Sequence, residues 1–252
     1  MVTAILVAAA IFFLTACCTS LGRKLLFYPS HRPAGTDLVP WTNNGALIGY
    51  ARMVASPRAA WLMLHGNAGQ ASDRTYALPH FPPEDSIFIL EYPGYGNRGG
   101  VPSQESFNQA AKEAYLRLRR DYPRIPVCVV GESIGSGPAA SLASLQPPPD
   151  KLVLIVPFDK LSLVAKDHFP AFLVSLLLRD DWDNVAALSG YRGPVEIFGA
   201  KADTVIPVAH ARALAAALPS AKFTLIDGGH NDWSYLGEVQ IKDPGGLKLD
   251  PP

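Results

Sequence analysis

Residues 129–137 read VVGESIGSG and place a serine between regularly spaced glycines. Ser133, with Gly131 and Gly135 on either side, matches the pattern Gly-x-Ser-x-Gly, in which a sharp turn from strand to helix exposes a nucleophilic hydroxyl. The same glycines, together with Gly137, also suit a loop that cradles a phosphate group. The two interpretations imply unrelated chemistry, so more distant residues must distinguish them.

The phosphate interpretation depends on where the glycines lie in the domain. Their spacing resembles that of short-chain dehydrogenases, whose loop follows the first strand and precedes a ribose-binding acid by about 20 residues. Asp159 occupies that later position and keeps the alternative open. However, at least two strand-like runs precede Gly131, and the chain contains neither Tyr-x-x-x-Lys nor Gly-Lys-Ser/Thr. This context favours the nucleophile.

A serine nucleophile requires partners, because its hydroxyl attacks poorly without a base. When the serine nucleophile lies on such a strand-to-helix turn, the acid and then the histidine follow it in the sequence. His230 follows an apolar strand-like run and two glycines, which allow a turn. Asp203 lies in the loop after the preceding run, where it would fix the tautomer of His230 and stabilise the imidazolium. Asp159 is the alternative acid.

The negatively charged intermediate of such a reaction needs two backbone N–H donors, the oxyanion hole. The residue after the nucleophile supplies one donor, so Ile134 is the first candidate. The second donor is expected from a loop after an earlier strand. Asn67 is the candidate there, because Gly66 and Gly69 let the loop turn inward. We interpret His65 as a structural residue that braces this loop.

Short apolar runs alternate with longer segments of helical character along the chain. This alternation is typical of a parallel sheet covered by helices, so the sequence predicts an α/β fold. Residues 104–122 have apolar side chains spaced for one face of a crossover helix, and residues 43–53 are expected to form an earlier strand or hairpin. The predicted strands lie at residues 59–65, 86–92, 126–130, 151–158, 194–199 and 221–227.

Residues 159–191 form a connection that is too long for one crossover helix and is rich in phenylalanine and leucine. We interpret the segment as a small helical insertion over the carboxyl edge of the sheet. An ordinary two-helix connection is the alternative, although connections of this length without a role are uncommon. Either arrangement would offer apolar side chains to an acyl group.

Several motifs occur in a fixed order: FYPS at 27–30, HGN at 65–67, EYPGYG at 91–96, GESIG at 131–135, DTVIP at 203–207 and GHND at 229–232. Together they resemble the α/β-hydrolase domain-containing serine hydrolases, in particular protein depalmitoylases and related membrane hydrolases. The resemblance implies an α/β-hydrolase fold with a mostly parallel sheet and helices on both faces. It also implies Ser133, Asp203 and His230 as the catalytic triad, Asn67 and Ile134 as oxyanion-hole donors, and no metal ion or organic cofactor.

Length and charge limit the classes of function. The 252 residues suffice for one domain with a sizeable core, and 22 basic residues balance 22 acidic ones. Neither sign forms a long block, so no general attraction to nucleic acid is expected. The composition favours a small, neutral or apolar substrate.

The N-terminus differs from the rest of the chain. Residues 4–14 form an apolar run that is short for a membrane-spanning helix of about 20 residues but suits the core of a secretory signal. The sequence LTAC at 14–17 resembles the lipobox of bacterial lipoproteins, which implies lipid modification of Cys17 and a periplasmic or cell-surface location. Because no Lys or Arg precedes the run, an uncleaved membrane anchor is the alternative, and a buried helix is a third possibility.

The sequence thus predicts a signal peptide or anchor at 1–16, a membrane-proximal segment at 17–30, a hydrolase domain at 31–240 and a flexible tail at 241–252. We expect a hydrolase that cleaves esters or thioesters of a small or lipid-like acyl substrate through an acyl-enzyme. A serine peptidase acting on short peptides is the alternative enzyme, because the same triad cleaves amides. An inactive hydrolase fold used for binding is the alternative outside enzymes.

Overall fold

The computed structural model describes residues 20–242 and residue 244. Its strands are β1 (Val39–Asn43), β2 (Ala46–Arg52), β3 (Ala60–Leu64), β4 (Ser86–Leu90), β5 (Val127–Glu132), β6 (Leu152–Ile155), β7 (Val195–Ala200) and β8 (Lys222–Ile226). They form one sheet in the order β1-β2-β4-β3-β5-β6-β7-β8. The strands from β4 to β8 in this order are parallel, and β1 and β2 are antiparallel, so the predicted mostly parallel sheet is confirmed.

The central strands are buried on both faces, because successive side chains point into two separate apolar cores. Leu62 of β3 and Val129 of β5 belong to one core, whereas Met63 and Val130 belong to the other. This two-sided burial explains why the predicted strands are continuous apolar runs rather than alternating ones.

Helices supply the other half of each core. Their bounds are α2 (Gln104–Asp121), α3 (Ser136–Ser141), α4 (Leu161–His168), α5 (Ala171–Leu177), α6 (Asn184–Leu188), α7 (Val208–Ala217) and α8 (Trp233–Leu236). The predicted crossover helix corresponds to α2, and its N-terminus is stabilised by a capping box between Ser103 and Ser106. Its buried face includes Phe107, Ala114 and Leu118, as expected from their helical spacing.

The structure resolves what two predicted segments form. The segment predicted as a strand or hairpin, residues 43–53, is part of a hairpin: Asn44 and Gly45 join β1 to β2 with φ of 48° and 80°, as a type I′ turn requires. Residues 159–191 contain the three short helices α4, α5 and α6. The segment is therefore largely helical, and α4 begins six residues after the end of β6, which lies at the carboxyl edge of the sheet.

The first described residues pack against the body of the protein. Helix α1, whose described residues are 20–26, is followed by Phe27, which is 5% exposed and lies 5.1 Å from the ring of Phe107. Arg23 forms a 2.9 Å ion pair with Asp180. The segment predicted to be membrane-proximal is thus, from residue 20 onward, attached to the insertion and to α2.

Residues 1–19, 243 and 245–252 lie outside the described part of the chain, and so do the predicted signal, Cys17 and most of the predicted tail. Ile241, the first residue of that tail, is buried, and its N–H donates to the carbonyl of His80 at 2.9 Å. Over the described residues, no helix combines the length and the apolar character needed to cross a membrane.

Candidate active site

Three polar side chains from different loops meet in one hydrogen-bonded row. His230 Nε2 lies 2.8 Å from Ser133 Oγ, and His230 Nδ1 lies 2.7 Å from Asp203 Oδ2. A carboxylate only accepts hydrogen bonds, so Nδ1 carries the proton of the neutral ring and Nε2 is free to accept the proton of Ser133. The structure therefore brings together the serine, histidine and aspartate that the sequence singled out.

The sheet explains why these loops meet. Strands β5, β7 and β8 are part of one parallel set, and their carboxyl ends lie at the same edge. Ser133 directly follows β5, Asp203 follows β7 by three residues, and His230 follows β8 by four. Residues more than 90 positions apart in the chain thereby come within hydrogen-bonding distance.

The turn at Ser133 has the strained geometry expected of a nucleophile at a sharp turn, and Ser133 is 8% exposed at the wall of a cavity. Ser133 has φ of 54°, in the left-handed region that residues with a Cβ rarely adopt. A Cβ on Gly131 would lie 2.7 Å from the Cβ of Ala139, and one on Gly135 would collide with the carbonyl oxygen of Leu64. Both glycines are therefore needed for clearance, as the sequence pattern indicates.

The loops that carry the other two residues are fixed by local hydrogen bonds. Asp203 Oδ1 accepts the N–H groups of Val205 and Ile206 at 2.9 and 2.8 Å, which leaves Oδ2 for His230. Before His230, the N–H of Gly229 donates to Asp232 Oδ2 at 2.8 Å. The side chain of Asp203 is 1% exposed, so its charge interacts with the imidazole with little competition from water.

The alternative acid has a different partner. Asp159 Oδ1 lies 2.7 Å from His210 Nδ1, and the other ring nitrogen of His210 lies 2.8 Å from Asp167 of α4. Asp159 thus bonds to His210 of α7, which also contacts α4, and it is not the residue bonded to His230. Among the two candidate acids, only Asp203 has the geometry that orients His230.

The loop proposed to supply an oxyanion donor is held rigidly beside Ser133. The side chain of Asn67 donates to the carbonyl of Leu26 and accepts from the hydroxyl of Tyr95 at 3.0 Å. Asn67 and Ile134 both line the cavity next to Ser133. His65 is fully buried and lies 2.7 Å from the carbonyl of Gly66, consistent with a bracing role.

Burial also sets the charge of His65. It lowers the pKa of the imidazole below its ordinary value of 6.5, and the nearby Arg74 guanidinium lowers the pKa further. A neutral ring has one N–H, and Nδ1 must carry it because the Gly66 carbonyl can only accept. His65 therefore adds no positive charge to the loop.

Glu132 is a site residue to which the sequence reasoning gave no role, although it lies inside the GESIG motif. Its carboxylate is 5% exposed and accepts the N–H of Gly66 at 3.0 Å, the hydroxyl of Tyr76 at 3.1 Å and the indole N–H of Trp233 at 3.3 Å. Burial raises the pKa of Tyr76, and the Glu132 charge raises it further, so the phenol keeps its proton as a donor. One carboxylate therefore connects the turn at Ser133 with the loops before Asn67 and after His230.

Replacing Glu132 by glutamine is expected to disturb these loops, because the amide nitrogen would face one of the three donors. A buried donor left without an acceptor costs about 1–3 kcal/mol of stability. Displacement of the loops should also lower kcat, by up to about 100-fold. Thermal unfolding and ester turnover would measure both effects. Glu113→Gln on the exposed face of α2 is the control, and equal behaviour of the two variants would contradict this role.

A cavity of about 610 Å³ opens beside Ser133. Most of its lining is apolar and comes from the loops, the insertion and the residues at and just after the end of α1. The apolar residues include Leu26, Ala68, Ile134, Phe158, Leu161, Val164, Val205 and Ile206. Leu26 and Tyr28 were not predicted as site residues, although the FYPS motif at 27–30 was a signal that this segment belongs to the domain.

No family model matches the chain. The uncharacterized protein MT2364 of Mycobacterium tuberculosis is 30% identical to it over 237 residues, which cover 87% of this chain and 84% of that protein. Alpha/beta hydrolase domain-containing protein 17B of Homo sapiens is 30% identical over 206 residues, covering 78% of this chain and 69% of the relative. The solved structure of the Pyrococcus furiosus esterase Pf2001 has the same fold, with a TM-score of 0.60 at 14% identity over 84% of this chain and 97% of that chain.

Proposed function

Because the chain belongs to the α/β-hydrolase domain-containing proteins, we propose that it is a serine hydrolase of carboxylic esters or thioesters. The observation that carries the proposal is the row Ser133, His230 and Asp203, with distances of 2.8 and 2.7 Å and a strained, positive φ at the serine. A hydroxyl, a base and an orienting acid in this order are the parts that nucleophilic acyl transfer requires.

In the acylation step, Ser133 Oγ attacks the carbonyl carbon of the substrate and its proton passes to His230 Nε2. Asp203 stabilises the resulting imidazolium through the proton on Nδ1. The tetrahedral intermediate then collapses, the bond to the leaving group breaks, and His230 returns the proton to the departing oxygen or sulfur. The acyl group remains on Ser133.

In the deacylation step, a water molecule attacks the acyl carbon while His230 Nε2 accepts its proton. Collapse of the second intermediate returns that proton to Ser133 and releases the carboxylic acid. In both steps the negative oxygen is held by the backbone N–H groups of Ile134 and Asn67, the proposed oxyanion hole. Each such donor accounts for a factor of about 100 to 1,000 in rate.

The character of the cavity supports an acyl substrate that is small or lipid-like. Its apolar lining would bury hydrocarbon, whose transfer from water contributes roughly 0.8 kcal/mol for each CH₂ group. The insertion contributes Leu161 and Val164, and the end of α1 contributes Leu26. The acyl chain would therefore lie between the insertion and the N-terminal segment.

The N-terminal sequence supports a membrane-anchored, exported protein. The apolar run at 4–14 and the sequence LTAC at 14–17 are the features on which this proposal rests. Cys17 would be the lipid-modified residue, and several acyl chains on it would give stable anchoring where one would not. The intact mass after expression in bacteria should show lipid on the wild-type protein and none on Cys17→Ala; an unmodified wild-type cysteine would contradict lipidation.

The proposed reaction is tested by a substrate panel that pairs acyl esters, thioesters and aminoacyl amides with the same acyl group. Turnover of the esters or thioesters that is lost in Ser133→Ala is the expected result. Turnover of amides alone would show a peptidase instead. Binding of the panel without turnover of any member would show an inactive hydrolase fold.

A further inference from the structure

Helix α5 has more apolar surface than the protein itself covers. Its sequence, AFLVSLL, contains no charged residue, yet Val174 is its one buried side chain. Phe172 is 70% exposed and Leu176 is 49% exposed, one helical turn apart. A helix that is apolar on all sides normally has partners on all sides, so the outer face of α5 lacks a partner within the described chain.

The exposed apolar surface continues beyond α5. Phe169, between α4 and α5, is 61% exposed, and α1 presents two leucines that are at least half exposed. Helices α1 and α5 are in direct contact, because a Cβ on Gly22 would collide with the carbonyl oxygen of Leu177. We define the apolar rim as Leu21, Leu25, Phe169, Phe172, Leu176 and Val205, each about 50–70% exposed.

Two parts of the apolar rim adjoin residues that line the cavity. On one side, Leu25 is followed by Leu26 and Tyr28, which line the cavity. On the other side, Val205 lines it directly, and its carbonyl lies 2.9 Å from His168 Nε2, next to Phe169. Whatever covers the rim would therefore also lie next to the lining of the cavity that contains Ser133.

Two observations identify what covers the rim. The apolar run at 4–14 ends six positions before residue 20, the first described residue of α1, so a membrane held by that run would be close in the chain to Leu21 and Leu25. Exposed basic residues also lie within a few positions of rim residues in the sequence, namely Lys24, Lys166 and Arg179. Among the acidic residues of the same region, Asp180 pairs with Arg23, Asp181 and Asp183 lie 3.8 and 3.3 Å from Lys160 Nζ, and Asp167 lies 2.8 Å from His210 Nε2.

We propose that the apolar rim inserts into the surface of an anionic lipid bilayer and turns the mouth of the cavity toward the membrane. This inference rests on the membrane association proposed for the N-terminal segment and adds a second contact, made by the folded body. Exposed phenylalanines and leucines enter the interface, while the lysines and arginine contact anionic headgroups. An acyl substrate then reaches Ser133 from the lipid without crossing water.

A tryptophan placed in the rim tests this contact. The full chain with Phe172→Trp is mixed with vesicles of phosphatidylcholine and phosphatidylglycerol whose acyl chains carry bromine, which quenches nearby indole fluorescence. Met53→Trp is the matched control, because Met53 is 55% exposed but follows Arg52, which pairs with Ile87 near the start of β4. Met53 therefore lies at the sheet edge opposite to the site. The native tryptophans are buried and contribute the same background to both variants.

Strong quenching at position 172, with little at position 53, is the expected result in samples where both variants co-sediment with the vesicles. Equal quenching at the two positions would overturn the proposal. So would emission at position 172 that is already shifted to short wavelength without vesicles and unchanged by them, because a second copy or the N-terminal segment would then cover the rim. Fluorescence requires no turnover, so the result is independent of the proposed reaction.

A second measurement removes the rim's aromatic groups. The double change Phe169→Ser and Phe172→Ser should lower turnover of a long-chain ester in vesicles by about tenfold or more. The free energy gained by burying one phenylalanine side chain exceeds the free energy that corresponds to a tenfold change in binding. Turnover of a soluble short-chain ester should be unchanged, because neither residue lines the cavity. Equal losses on both substrates would overturn the proposal. Met53→Ser is the control.

Discussion

Replacing Ser133 by alanine is expected to lower kcat for an acyl ester by about 10⁶-fold, because no other group can form the acyl-enzyme. Replacing His230 by alanine should cost a similar factor, since Ser133 Oγ then has no base within reach of its proton. Combining the two changes should cost little more than either alone, because the residues act as one unit. Initial rates with a chromogenic ester measure all three variants.

Ser136→Ala is the control for this loss. Ser136 lies in the same turn and is buried, but its hydroxyl donates to the carbonyl of Ser133 at 2.7 Å and is not bonded to His230. We expect this variant to retain kcat within about tenfold, because its main effect is on local stability: it loses the bond to the Ser133 carbonyl and the bond from the Asn184 amide, each contributing roughly 1 kcal/mol. If Ser133→Ala kept as much activity as Ser136→Ala, the assigned nucleophile would be wrong.

Replacing Asp203 by asparagine is expected to lower kcat by about 10⁴-fold without unfolding the protein. The side-chain oxygen can still accept the N–H groups of Val205 and Ile206, so the loop keeps its hydrogen bonds. The new amide group donates to His230 Nδ1 instead of accepting from it. His230 then carries its proton on Nε2 and cannot take the proton of Ser133.

Asp159→Asn is the matched control, because it also changes a buried aspartate that is bonded to a histidine. Its partner is His210, which connects α7 to α4 rather than to Ser133. We expect Asp159→Asn to lower the free energy of unfolding and to keep kcat within about tenfold of wild type. The reason is that the contact between Asp159 and His210 does not include Ser133, His230 or Asp203. A loss of kcat as large as that of Asp203→Asn would show that the acid has been assigned incorrectly.

The sheet and the row of three residues could be predicted because both follow from order along the chain. The buried strands are apolar runs, and parallel strands bring the loops that follow them to one edge. The glycines around Ser133 could be predicted from the local sequence, because a side chain at either position would collide with atoms of the turn or of the adjacent strand. A histidine and an acid in two later loops of that edge were then required by the chemistry of serine.

Other parts of the site have no local pattern from which to predict them. The role of Glu132 arises from three donors in distant segments, at Gly66, Tyr76 and Trp233. The contribution of Leu26 to the cavity depends on how α1 packs against the insertion. The apolar residues of the insertion were expected to serve an acyl group, but which of them face the cavity and which remain exposed depends on helix orientation.

The nucleophile is the central claim, and covalent labelling tests it most directly. The full protein is reacted with a fluorophosphonate, digested and analysed by mass spectrometry to locate the phosphonyl group. We predict one modified residue, Ser133, with labelling abolished in Ser133→Ala and strongly slowed in Asp203→Asn. No adduct on the wild-type protein, or an adduct on another residue that persists in Ser133→Ala, would contradict the account.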